Sequence, residues 1–151
     1  MVTEITPFLW FDTQAEEAMD FYLSVFRNGR RLGVTRVDGK VLTVRFELEG
    51  QEFVGLNGGP QFHFTEAVSF VVNCETQTDV DDLWEKLSKG GQTSQCGWLK
   101  DRYGLSWQIV PTALSTLLSD PDPARAGAVM QALMKMNKLV IADLQRAHDR
   151  V

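Results

Sequence analysis

The chain repeats the pattern of its own opening. Laid at a constant offset, Phe8-Leu9-Trp10 through Gly29 falls on Phe70-Val71-Val72 through Gly91. Phe8 meets Phe70, Ala18 meets Val80, Phe21 meets Leu83, Tyr22 meets Trp84, Val25 meets Leu87 and Gly29 meets Gly91. Few residues are identical, but the grammar is shared: a short apolar strand, a polar turn, one amphipathic helix, then glycine. Such self-similarity marks a supersecondary unit used twice, and it restricts the fold to two like halves.

Each copy has a physical reading. Ile5 to Phe11 is apolar and aromatic, the signature of a buried strand. Thr13 and Glu16 have capping-box spacing, so a helix is expected to begin at Gln14 or Ala15. Ala15, Ala18, Met19, Tyr22, Val25 and Phe26 then share one helical face, and Gly29 is expected to end the helix in the left-handed conformation. In the second copy Val68 to Asn73 is the strand, Thr78 or Asp79 the cap, Val80, Leu83, Trp84 and Leu87 the buried face, and Gly90 the stop. Strands follow each helix. In the first half they are Arg31 to Arg36, Val41 to Leu48 and Gln51 to Leu56, with Asp38-Gly39 as a hairpin turn. In the second they are shorter: Thr93 to Gln95, Gly97 to Lys100 and Leu105 to Val110, with a turn at Asp101 to Gly104. The expected architecture is therefore α+β, two tandem βαβββ modules forming a curled mixed sheet. Module 1 covers about residues 4–57, a linker 58–66, and module 2 about 67–111; extra helices fill 112–149. In that tail Pro111 ends the last strand, Thr112 to Leu118 is one helix, and Asp122-Pro123 opens another with proline at its first position. Val129, Met130, Leu133 and Met134 form one stripe and Val140, Ile141, Leu144 and Ala147 a second, to be buried on the sheet or on another subunit.

Composition excludes several functional classes. A chain of 151 residues with 44% hydrophobic and 23% charged residues suits one domain with its own core. A formal net charge of −5 and no basic run argue against nucleic acid or an anionic membrane as partner. No apolar run approaches the roughly 20 residues that span a bilayer. The opening Met1-Val2-Thr3-Glu4 has no basic region leading into an apolar stretch, so no signal peptide is expected. Cys74 and Cys96 make no CxxC and no metal-type cluster, which fits reduced thiols and a cytoplasmic protein.

Certain stretches, taken together, resemble the vicinal-oxygen-chelate superfamily and most closely its PhnB-like branch. They are Ile5-Thr6-Pro7-Phe8-Leu9-Trp10-Phe11-Asp12 with Ala15-Glu16-Glu17-Ala18 and Phe21-Tyr22, then Leu56-Asn57-Gly58-Gly59-Pro60, Cys96-Gly97-Trp98-Leu99-Lys100-Asp101 and Gly104-Leu105-Ser106-Trp107-Gln108-Ile109-Val110-Pro111. The resemblance runs from about residue 4 into the C-terminal helices. It implies a family name, 3-demethylubiquinone-9 3-methyltransferase, but not that activity. Methyltransferases that bind a cofactor use a parallel sheet with a glycine-rich turn after its first strand. Gly58-Gly59 and Gly90-Gly91 instead read as a turn and a helix stop. The resemblance also implies where catalytic members hold a divalent metal, with His, Glu or Gln from the first and last strands of each module. Those positions fall near Ile5, at Gly55 or Asn57, near Ala67, and at Gln108, four residues after the turn glycine Gly104. Two amides without imidazole or carboxylate are poor transition-metal ligands, and the only histidines are His63 and His148. The expectation is therefore no metal and no cofactor.

What remains is a binding wall. If Leu42, Val44, Phe46 and Leu48 pack under a helix, then Thr43, Arg45 and Glu47 line the opposite face. Parity along the next strand then assigns Phe53, Gly55 and Asn57 to that wall, with Ser106 and Gln108 in the second module and Cys96 and Trp98 on a neighbouring strand. The candidate ligand-binding residues are Arg45, Phe53, Asn57, Cys96, Trp98 and Gln108. An arginine among amides and aromatics suits a small polar or anionic ring compound. Each residue also has a bland reading: Arg45 pairs with Glu47 or another carboxylate, Cys96 is small buried filler, and Trp98 meets a second subunit. The expected function is metal-independent binding of a small molecule by a homodimer. The alternative is a lyase, isomerase or dioxygenase-type enzyme with a non-standard site.

Overall fold

The computed structural model describes all residues, 1–151, as two compact units, Met1–Phe64 and Thr65–Val151. The two units are built alike. The first contains β1 (Phe8–Phe11), α1 (Ala15–Val25), β2 (Gly29–Val37), β3 (Lys40–Leu48) and β4 (Gln51–Asn57). The second contains β5 (Ser69–Cys74), α2 (Gln77–Ser88), β6 (Gln92–Thr93), β7 (Trp98–Lys100) and β8 (Ser106–Pro111). It continues into α3 (Thr112–Leu118), α4 (Pro123–Leu133) and α5 (Ile141–Asp149). Each unit folds its own four-stranded mixed sheet, and the strand orders are the same: β1-β4-β3-β2 and β5-β8-β7-β6. In each, the first strand pairs parallel with the last, and the other pairs are antiparallel. The internal repeat is thus a repeat of topology.

The repeat is exact for the helices and out of step by one for the strands. Ala18 and Val80 are both fully buried on their helices, and Val25 and Leu87 follow suit. On the opening strands, however, Leu9 and Phe11 face inward in the first unit, with Phe8 60% exposed. In the second unit the inward residues are Phe70, whose ring lies 5.7 Å from that of its register partner Trp107, and the buried Cys74. The first strand is also shorter than expected. Ile5 lies outside β1 and is exposed, because the pairing with β4 begins only at Phe8.

The first unit's core follows the alternation of β3. Val44, Phe46 and Leu48 are buried beneath Ala15, Ala18, Met19 and Tyr22 of α1, while Leu42 near the strand's start is exposed. Burying each such apolar side chain contributes about 1.5–3 kcal/mol. Asp38-Gly39 turns with both φ positive, 52° and 76°, as a two-residue hairpin requires. Glu49-Gly50 does the same at the next corner, with φ of 48° and 87°, and sets Leu48 opposite Gln51.

Three local expectations are corrected. Thr13 does not cap α1; Gln14 occupies the cap position without a side-chain bond to the helix, and the acceptor comes from Asn57 at the end of β4. Thr76, not Thr78 or Asp79, caps α2, its hydroxyl accepting from Asp79 N–H at 3.1 Å. Gly29 is not left-handed. It opens β2 where a Cβ would press on Leu23 at 2.9 Å and on the Glu47 carbonyl at 3.2 Å, so closeness of approach explains it.

The C-terminal helices pack mainly on one another. Leu114, Leu117, Val129, Leu133, Leu139 and Leu144 form one cluster, against which Val110 and Cys96 also lie. Met130 and Met134 of the expected stripe stay exposed. Gln77 fastens this layer to α2, donating to the Leu139 carbonyl at 2.9 Å and accepting from Ile141 N–H at 2.7 Å. Asp122 caps α4 through Ala124 N–H, with Pro123 following it. No helix is long and apolar enough to cross a membrane.

Candidate functional site

The six candidate residues divide between the units. In the first, register separates them. Phe46 pairs with Phe53 and Val44 with Gly55, so Phe53, Gly55 and Asn57 share the helix-covered face of the sheet. Phe53 is 4% exposed and stacks on Phe46 at 5.6 Å. This corrects the expected parity: Phe53 and Asn57 stand on the face opposite Arg45. Beside Arg45 on its own face are Glu52, Val54 and Leu56, and its guanidinium reaches the Glu52 carboxylate at 3.3 Å. Glu47, the carboxylate named for it from the sequence, pairs instead with Arg30 at 3.4 Å. Asn57 is spent on the fold. Its Oδ1 accepts from Ala15 N–H at 2.8 Å, and its Nδ2 donates to the Val41 carbonyl at 3.1 Å.

The second unit brings its three candidates together. Trp98 and Gln108 are register partners on β7 and β8, and Lys100 and Ser106 are the next same-face pair. These four side chains form a square on the face away from Trp107 and Ile109, which are buried on the α2 side. Gln108 Nε2 donates to Ser69 Oγ at 2.9 Å. Cys96 precedes the square in a tight turn. Cys96 and Gly97 have φ of 60° and 84°, and their N–H groups donate to the Met136 and Asn137 carbonyls, each at 2.8 Å. At Gly97 a Cβ would lie 2.9 Å from the Ile109 carbonyl, so glycine is required there. Cys96 lies half-buried against the C-terminal cluster, while Cys74 is buried and its thiol is pushed up to about 11.

Next to this square is a cleft of about 610 Å³ whose walls include Trp98, Lys100, Ser106, Cys96 and Glu66. Its size falls in the usual range for small-ligand sites. Two features stand out. Ser106 is 1% exposed, and its Oγ has no hydrogen-bond partner. Lys100 Nζ is paired with the Glu66 carboxylate, and this ammonium holds the Glu66 carboxyl below its ordinary range. Sequence reasoning set Ser106 on this wall but did not find Glu66. Its pairing with a residue far along the chain leaves no local signal. A second cleft, about 530 Å³, lies in the first unit between Asp12, Glu16, Lys40, Leu42 and Asn57.

A buried carboxylate braces the wall from behind. Asp101, 2% exposed, accepts from Tyr103 N–H at 2.9 Å and Leu105 N–H at 3.1 Å through Oδ1, and from Trp107 Nε1–H at 3.0 Å through Oδ2. This fixes the turn that separates Lys100 from Ser106.

The positions that the resemblance implies for a metal do not fit one. Ile5 and Ala67 are exposed and carry no donor, Asn57 caps α1, and Gln108 is a lone amide bonded to Ser69. No three His, Cys, Asp or Glu side chains are grouped to hold a metal ion.

Two tandem βαβββ units with this strand order define a glyoxalase-like protein of the vicinal-oxygen-chelate superfamily. A family model, 3-demethylubiquinone-9 3-methyltransferase, matches residues 3–110, and the chain belongs to that PhnB-like family. The PhnB protein from Bacillus cereus is 36% identical with a TM-score of 0.68, over 73% of this chain and 100% of that one. PA1353 from Pseudomonas aeruginosa shares the fold at 17% identity and a TM-score of 0.61, over 73% of this chain and 98% of that one. The fosfomycin resistance protein FosX from Listeria monocytogenes, solved with Mn(II) and sulfate, shares it at 13% identity and a TM-score of 0.54. That alignment spans 74% of this chain and 91% of FosX. None of the curated proteins matches the sequence.

Proposed function

We propose that the protein binds a small molecule, without a metal, in the cleft of its second unit. The observation that carries this reading is the orphaned Ser106 hydroxyl at the edge of a cleft walled by Trp98. An unpaired buried hydroxyl costs about 1–3 kcal/mol, and a bound acceptor removes that cost. Trp98 supplies apolar area and a π face for a planar ligand. The family name describes a methyl transfer, and the fold argues against that chemistry here. Each sheet has only one parallel pair, and no glycine-rich turn follows a first strand. Gly58 and Gly59 instead serve local packing: a Cβ at Gly58 would run into Trp10, whose Nε1–H donates to the Gly59 carbonyl at 2.9 Å.

The partner proposed for this chain is a second copy of itself, since Met130 on α4 and Met134 at its C-cap leave apolar surface exposed. Two free cysteines suit a cytoplasmic setting. Sedimentation equilibrium tests the dimer.

The binding reading is tested by thermal-shift screening of chelator-treated protein against aromatic metabolites, alongside Trp98→Ala. Stabilisation by one chemical class, lost in the variant, is the expected result. No response from metal-free protein, with a strong response to a divalent metal alone, would overturn it.

A further inference from the structure

The chemistry of the cleft specifies the charge of its ligand, given the reading that it binds one. Lys100 is the one cation among the lining residues and Glu66 the one carboxylate, and each is the other's partner. Lys100 and Ser106 are register partners on adjacent antiparallel strands, so their side chains rise from the same face at cross-strand distance. An ammonium has only donors, and the Ser106 hydroxyl, which can donate or accept, has no partner and is free to donate beside it. Two neighbouring donors on one face match the two oxygens of a single carboxylate. Trp98 lies on that face two residues before Lys100 and can carry a flat ring beside it.

Glu66 is the group such a ligand would displace. It sits in a turn ahead of β5, outside any helix or strand, with a side chain 60% exposed. An ion pair this exposed is weak, so releasing Glu66 to water costs only a few-fold in affinity. A cationic ligand fits less well. It would face the ammonium of Lys100, the one cation of the lining.

We infer that the cleft takes a planar aromatic carboxylate, bound across Lys100 and Ser106 with its ring on Trp98, and that Glu66 holds the anion's place until it arrives. Calorimetric titration of the chelator-treated full chain tests this with 2-naphthoate and its neutral counterpart 2-naphthamide. Naphthoate binds at least about tenfold tighter, the scale of a charge-assisted pair. Lys100→Met erases that difference. Glu66→Gln tightens naphthoate about two- to fivefold and leaves naphthamide unchanged. Ser106→Ala weakens naphthoate several-fold. Both charged side chains are exposed enough that their variants fold, which circular dichroism verifies. Equal binding of both probes, lost in Trp98→Ala, overturns the anionic assignment but leaves the cleft as the binding site. Naphthoate binding unchanged in Lys100→Met overturns the assignment as well. If neither probe binds but another aromatic compound does, only this inference fails. If no compound binds, the underlying reading fails with it.

Discussion

Asn57 Oδ1 accepts the N–H of Ala15 at 2.8 Å, so the last residue of β4 caps the first turn of α1. The amide's other end donates to the Val41 carbonyl on β3, and one side chain therefore ties a helix to two strands. At this position, one of the two that the resemblance implies for a metal ligand in the first unit, this chain uses the side chain for structure. Asn57→Ala is expected to cost about 1–2 kcal/mol, the usual value of a lost cap plus an unpaired carbonyl. Urea denaturation should show a lower midpoint with an unchanged slope. Ligand affinity in the second unit should not change. Asn57→Asp retains the acceptor and should recover part of the loss.

Asp101 has a similar role in the second unit, with three donors on one buried carboxylate. Asp101→Asn keeps the shape but sets an amide N–H against either Trp107 Nε1–H or the turn's N–H groups. A loss of about 2–4 kcal/mol is expected, since bonds to a charged acceptor are the stronger kind. The near-ultraviolet circular dichroism of Trp107 should weaken together with ligand binding, because this turn sets Lys100 against Ser106.

The end of α5 is expected to make stability pH-dependent. His148 Nε2 lies 2.6 Å from Asp120 and Nδ1 2.9 Å from Asp149. Its hydrogen bonds to Asp149 and then Asp120 raise its pKa above the ordinary 6.5. Asp120, through the backbone N–H of Asp122 and then His148, and Asp149, chiefly through His148, are lowered below 3.8. The histidine's contribution is fully present below pH 6.5 and fades as pH rises through its raised value. The aspartates' contribution is present above pH 3.8 and fades as pH falls through their lowered values. The denaturation midpoint should therefore decline from pH 6 to pH 9, and His148→Gln should flatten that slope.

Much of the fold was legible because helical and strand periodicities are local. The face of α1 and the alternation of Val44, Phe46 and Leu48 follow from spacing alone. Phe53 faces opposite to its expected parity because of the turn that precedes β4. The two-residue Glu49-Gly50 corner sets Leu48 opposite Gln51, which forces Phe46 opposite Phe53. The cap from Asn57 and the Glu66–Lys100 pair were not readable, because each joins residues far apart in the chain through tertiary packing. Of the candidate site, the second unit's square was partly legible, with Trp98 and Gln108 named and Ser106 noted beside them. The first unit's residues did not form one wall, since register divided them between two faces.

The central claim is metal-independent binding in the cleft beside Trp98, Lys100 and Ser106. Backbone amide chemical-shift mapping of ¹⁵N-labelled protein in the presence of chelator tests it most directly, with an aromatic compound that stabilises the protein as the titrant. Saturable shifts centred on Trp98, Lys100 and Ser106, unchanged when chelator is replaced by divalent metal, are predicted. Shifts that appear only with metal present, or that centre on Asp12, Lys40 and Asn57 of the first unit, would contradict it.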